Sequence, residues 1–261
     1  MKNKTILNSF WAFLVAGILA RFFQVAYTLE GSTGFFKNGF EKVGYSLSGI
    51  IAICLVCVAF FAFKAYIKPE SAPKQNLLLE VSSLALAVAL AVEVLKEKPL
   101  LNVLYWQQIG IKILGLATVC FFASFAFLST NVMKKIKLFS IIPLIYFIVR
   151  LICCFVTVSS LSLISDNVLQ IASYCVVVLF LLNFAKLYNG IESDVIFRKV
   201  LATGLVSSIL LFATAIPNII LSFAKKGFSS HIQVVSSFSF LFLAVFILVF
   251  VFSYFSPKNS Q

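Results

Sequence analysis

Apolar residues run along this chain in eight long blocks, separated by short charged or turn-forming segments. The blocks lie at approximately 6–27, 44–63, 77–95, 109–128, 138–158, 167–185, 200–223 and 234–255. Each is close to the roughly 20 apolar residues a helix needs to cross the hydrocarbon of a bilayer. The pattern predicts an all-α fold, a polytopic transmembrane helical bundle of about eight spans. Eight spans take up about 160 residues, and the roughly 100 that remain serve seven connections and two tails. The expected organisation is therefore a single transmembrane domain over 1–261, with no soluble domain. The first block is the weakest. It follows Lys2 and Lys4 and contains Arg21, a layout that also resembles a signal peptide. No small-residue cleavage site stands just before Arg21, so the block is read as an uncleaved span.

Composition supports lipid as the solvent. Apolar residues make up 61% of the chain, charged residues 11%, and the mean hydropathy is +1.06. Soluble domains carry roughly 45–50% apolar and about 25% charged residues. The net charge of +12, from 21 basic and 9 acidic residues, would suggest nucleic acid in a soluble protein. Here the cations sit in short loops, where they set orientation and meet anionic lipid headgroups, and no nucleic-acid partner is expected. With the N-terminus inside, 12 cations fall in cytoplasmic segments and 7 in outer ones. That bias predicts a multi-pass cell-membrane protein with both termini cytoplasmic. Trp106 and most of the tyrosines fall near span ends, as an aromatic belt requires. The 30 phenylalanines read as lipid-facing bulk. All six cysteines lie inside apolar runs, which argues against a disulfide framework.

The two halves share a short pattern. Residues 64–71 and 186–193 both read K-x-Y-x-x-x-E-S, and both follow an even-numbered span. Extending that offset places spans 2, 3 and 4 over spans 6, 7 and 8. Span 1 overlays span 5 at a slightly larger offset that aligns Arg21 with Arg150. Two parallel four-helix repeats, 1–131 and 132–261, would explain this. Coincidence in a repetitive apolar chain would explain it too.

Ionisable residues inside a membrane cost about 2.5–3.5 kcal/mol at the centre and usually face protein or water. Arg21, Glu80, Glu93, Lys112 and Arg150 are of this kind. Glu80, near the inner end of span 3, reads as interfacial. Arg150 lies mid-way along span 5, with Tyr146 four residues earlier on the same face and Pro143 placed to kink the helix. Depth gathers Arg21, Glu93, Lys112 and Arg150 into the outer half of the bundle. They predict a polar, outward-facing cavity for an anionic group, since guanidinium offers carboxylate or phosphate a bidentate fork. Tyr146 belongs to the same candidate ligand set. Asn218 joins it because Pro217, with Thr214 nearby, frees a backbone carbonyl in span 7. The alternative is structural: Glu93 pairs with one arginine, while the other snorkels or bonds backbone carbonyls. Asn183 is placed to bond a neighbouring helix.

Catalytic signatures are sparse. The lone histidine, His231, cannot build an H-E-x-x-H zinc site, and neither nucleotide-binding glycine motif occurs. Cys54-x-x-Cys57 has a redox spacing but sits mid-span, where thiols act as apolar filler. No catalytic residue, metal ligand or cofactor is expected, and an enzyme is disfavoured. Ile142 to Tyr188, with Arg150-Leu-Ile, a serine-rich turn near 159–165 and a span ending Phe-Ala-Lys, resembles uncharacterised multi-pass membrane proteins of low-GC Gram-positive bacteria. That resemblance implies a bacterial inner membrane and no particular activity. Two functions stay open: a small transporter-like or solute-binding protein for an anionic small molecule, and a non-catalytic subunit, scaffold or sensor serving a membrane or ATPase partner. An exposed small-residue stripe (Ser83, Ala87, Ala91) on span 3 would favour the second.

Overall fold

The computed structural model describes residues 3–30, 35–64, 77–96, 105–127, 137–159, 165–191, 193–224 and 234–255. The K-x-Y-x-x-x-E-S pattern falls partly outside these, at Tyr66, Glu70, Ser71 and Glu192. His231, most of the serine-rich turn, and Lys2, Lys68, Lys74, Lys98, Lys134, Lys135, Lys225, Lys226 and Lys258 also lie outside them.

Among the described residues, eight helices follow the eight apolar blocks: α1 (Asn3–Phe23), α2 (Glu41–Lys64), α3 (Leu77–Lys96), α4 (Tyr105–Phe127), α5 (Ile141–Ser159), α6 (Ser165–Tyr188), α7 (Asp194–Ala224) and α8 (Val234–Phe255). Seven are long and apolar enough to cross a membrane. The eighth, α5, is shorter, at 19 residues. The chain is an integral membrane protein with an all-α bundle.

Local chemistry explains several boundaries. Gly190, at φ +82°, ends α6, and the Ile191 N–H caps the Lys186 carbonyl at 3.1 Å. The Ser193 hydroxyl accepts the Ile196 N–H as α7 begins. Pro217 does not break α7, which runs unbroken for 31 residues. Pro143 falls in the first turn of α5, where a proline costs no helical hydrogen bond. After Phe23, α1 widens into a π-turn over Gln24–Thr28, closed by the Leu29 N–H on the Gln24 carbonyl.

The contacts between helices close a circuit. Helices α3, α4, α5, α6, α7 and α8 each pack on the next, and α8 returns to α3. Helices α1 and α2 pack on each other and, from outside the circuit, on α7. That makes α7 the common support of the fold, and it is the most enclosed of the spans.

Phenylalanine fills the inside of the circuit. Phe184 on α6 meets Phe250 on α8 at 4.9 Å between ring centres and Phe121 on α4 at 6.4 Å. Phe122 on α4 meets Phe246 on α8 at 5.1 Å. All five are buried. This corrects the expectation that the phenylalanines are lipid-facing bulk, which holds for Phe127 and Phe223 but not for this core. Rings packed edge to face fill space densely and gain roughly 0.5–1.5 kcal/mol per pair beyond burial.

Candidate ligand cavity and the two membrane arginines

Arg21 closes the last regular turn of α1 and is only 2% exposed. Its Nη2 donates to Asp166 Oδ1 on α6, and its Nη1 donates to Gln24 Oε1 and, at 3.0 Å, to Ser165 Oγ. The π-turn places Gln24 beside it, and Gln24 Nε2 donates across to α2, to the Gly44 carbonyl at 2.9 Å and Ser48 Oγ at 2.7 Å. One short segment of α1 thus ties α2 to α6 through polar bonds.

That polar tie forms one end of a cavity of about 560 Å³. Arg21, Gln24, Ser48 and Ser165 line its polar end, with Phe35, Phe36 and Tyr45 around them. Ile51, Ala52 and Leu55 of α2 face Val168, Leu169 and Ala172 of α6 along its length, with Leu210 of α7 as the floor. The size lies within the roughly 300–1,000 Å³ typical of ligand pockets.

Arg150 has a different setting. Its Nη2 donates to Glu93 Oε1 at 2.7 Å and to the Tyr174 hydroxyl at 3.4 Å. Glu93, Tyr146, Arg150, Tyr174 and Ser239 surround a void of about 10 Å³, which has room for about one water and no solute. The sequence-derived picture of a single cavity holding Arg21, Glu93, Lys112 and Arg150 therefore does not form. The arginines occupy two separate clusters, each with its own carboxylate. Tyr146 shares the Arg150 cluster. Lys112 is exposed on α4 and lines neither cavity. Asn218 is buried on α7 and lines neither, and its Oδ1 has no hydrogen-bond partner among the described residues. Asn183 donates to Leu179 of its own helix rather than to a neighbour.

Sequence reasoning missed Asp166, Gln24, Ser165 and Tyr174. Asp166 was placed one residue outside its span, although an acid in a helix's first turn is favoured by the helix dipole and marks where α6 begins. Gln24 carries no charge, so a search for buried charge passes over it.

No protein-family model, no curated protein and no solved structure matches the chain. The geometry alone must carry the functional reading. It offers a largely apolar cavity with hydrogen-bonding groups at one end, and no cluster of three or more histidine, cysteine or acidic side chains suited to a metal among the described residues.

Proposed function

We propose that this integral membrane protein is a small transporter-like, solute-binding protein, whose ligand occupies the cavity between α2 and α6 and presents an acidic group to Arg21. The carrying observation is that a buried arginine forms part of the wall of a ligand-sized cavity. Three of its N–H groups are spent on Gln24, Ser165 and Asp166. Guanidinium has five, so two make no hydrogen bond among the described residues and can serve a carboxylate or phosphate oxygen. In this reading Arg21 is the anchor, Gln24, Ser48 and Ser165 are its polar surround, and Arg150 with Glu93 and Tyr146 is a structural cluster. The excess of cations in alternate loops supports a cell-membrane orientation with both termini cytoplasmic, which makes the cavity end outward-facing. The resemblance around Arg150 supports a bacterial membrane.

The second reading is a subunit, scaffold or sensor that works with a membrane or ATPase partner. The filled interior of the helix circuit favours it, because the described residues build no central path for a solute. Against it, Ser83 and Ala87 of the small-residue stripe on α3 are buried inside the protein.

A thermal-shift series on detergent-purified protein tests the reading. Carboxylates and phosphates are expected to raise the melting temperature of wild type and of Arg150→Gln paired with Glu93→Gln, but not of Arg21→Gln paired with Asp166→Asn. The double changes remove both charges of a pair and so avoid stranding one. Equal shifts in all three proteins would remove Arg21 from the site.

A further inference from the structure

The cavity lies at the flank of the bundle rather than on its axis. Helices α2 and α6 both pack on α7 but form no seam with each other, and the gap between them is the cavity. Ala52 and Val168 on its two walls are exposed, so it opens sideways toward whatever surrounds the bundle. In a membrane-spanning protein, that surround is hydrocarbon. Along the gap the walls are aliphatic, and an apolar void gives water no partners to hold it. The small side chains of Ala52 and Ala172 leave a slot between the two helices. Hydrogen-bonding groups gather at one end only. Ser48 lies within two turns of the start of α2, and Ser165 is the first residue of α6, so this end sits near the level of the headgroups.

We infer that the occupant is a phospholipid drawn from the leaflet at that end of the bundle, with one acyl chain between α2 and α6 and its phosphate oxygens toward Arg21. The inference rests on the cavity being a ligand site, as proposed above, and names the ligand. The surrounding membrane supplies acyl chains at high concentration, and the aliphatic slot shields one at no cost in desolvated polar groups. Two N–H groups of Arg21 that make no hydrogen bond among the described residues suit phosphate oxygens, while Asp166 cancels most of its charge, as fits the phosphate of a zwitterionic headgroup with no net charge.

The test uses the full chain in phosphatidylcholine vesicles that contain a trace of phosphatidylcholine with a photoreactive diazirine midway along one acyl chain. After irradiation and digestion, labelling of α6 around Val168 and Ala172 is expected to exceed that of Val81, Val88 and Leu95, which face outward on α3 and report ordinary lipid contact. Ala172→Trp is expected to bring the α6 signal down to the α3 level. If that variant does not fold, Ala52→Trp fills the slot from the other wall. Arg21→Gln with Asp166→Asn is expected to reduce the excess about tenfold, the scale of one lost hydrogen bond to a charged group. Labelling of α6 equal to α3, or unchanged when the slot is filled, would overturn the inference. A parallel arm adds inorganic phosphate and butyrate to detergent-solubilised protein. If these raise the melting temperature through Arg21 while labelling stays flat, the ligand is a water-soluble acid: the lipid inference falls and the solute-binding reading stands. If neither arm responds, both fall.

Discussion

Arg150 on α5 donates to Glu93 on α3 at 2.7 Å, although the two helices form no extensive seam. The pair bridges helices that are otherwise joined through α4. Removing one partner by Arg150→Met strands a buried carboxylate, and stability should fall by about 3–5 kcal/mol. Replacing both, Arg150→Met with Glu93→Leu, should stay within about 1 kcal/mol of wild type. Unfolding in detergent, followed by circular dichroism, separates the two outcomes.

Close helix packing predicts opposite signs for two glycine substitutions. A Cβ on Gly204 of α7 would stand 2.7 Å from a methyl of Val251 on α8 and 3.3 Å from the Phe180 ring. Gly204→Ala should therefore lower stability by about 1–3 kcal/mol, despite its better helix propensity. On α2, nothing lies within 4 Å of a Cβ at Gly49, so Gly49→Ala should raise stability by up to about 1 kcal/mol. Parallel melts of the two variants check the sign.

The phenylalanines divide into two populations with different energetics. Phe184 touches Phe121, Phe180 and Phe250 inside the helix circuit, and Phe184→Ala should cost about 3–5 kcal/mol. Phe223, 76% exposed at the end of α7, should change stability by no more than about 0.5 kcal/mol when replaced by alanine. A chemical-denaturation series in one detergent measures both.

Asn218 bears a buried carbonyl oxygen without a partner among the described residues. Asn218→Leu removes that desolvated group and should raise stability by about 1–2 kcal/mol. A fall in melting temperature would show that the amide has a stabilising partner after all.

Span positions were legible in the sequence because a bilayer demands about 20 apolar residues at a stretch, whatever those residues touch. Which side of each span faces protein was not. The helices are apolar around most of their circumference, so no periodic stripe separates Phe184, inside the core, from Phe223, facing outward. The two arginines were legible for the same reason as the spans, since charge stands out in apolar sequence. Their partners were not. Asp166 reaches Arg21 across 145 positions of sequence, and Glu93 reaches Arg150 across 57. Nor are the two pairs equivalent under the repeat alignment that superposes Arg21 on Arg150. It equates α6, which holds Asp166, with α2, whereas Arg150 finds its acid on α3. The cavity arises where two helices fail to meet, and only the packing of both on α7 creates that gap.

The aromatic filling of the helix circuit has an electrical consequence. Ions need a continuous file of water to traverse a bilayer, and the edge-to-face rings of Phe121, Phe122, Phe184, Phe246 and Phe250 leave no wetted path between them among the described residues. A planar membrane loaded with this protein should keep its resistance. The middle of the helix circuit should pass no current.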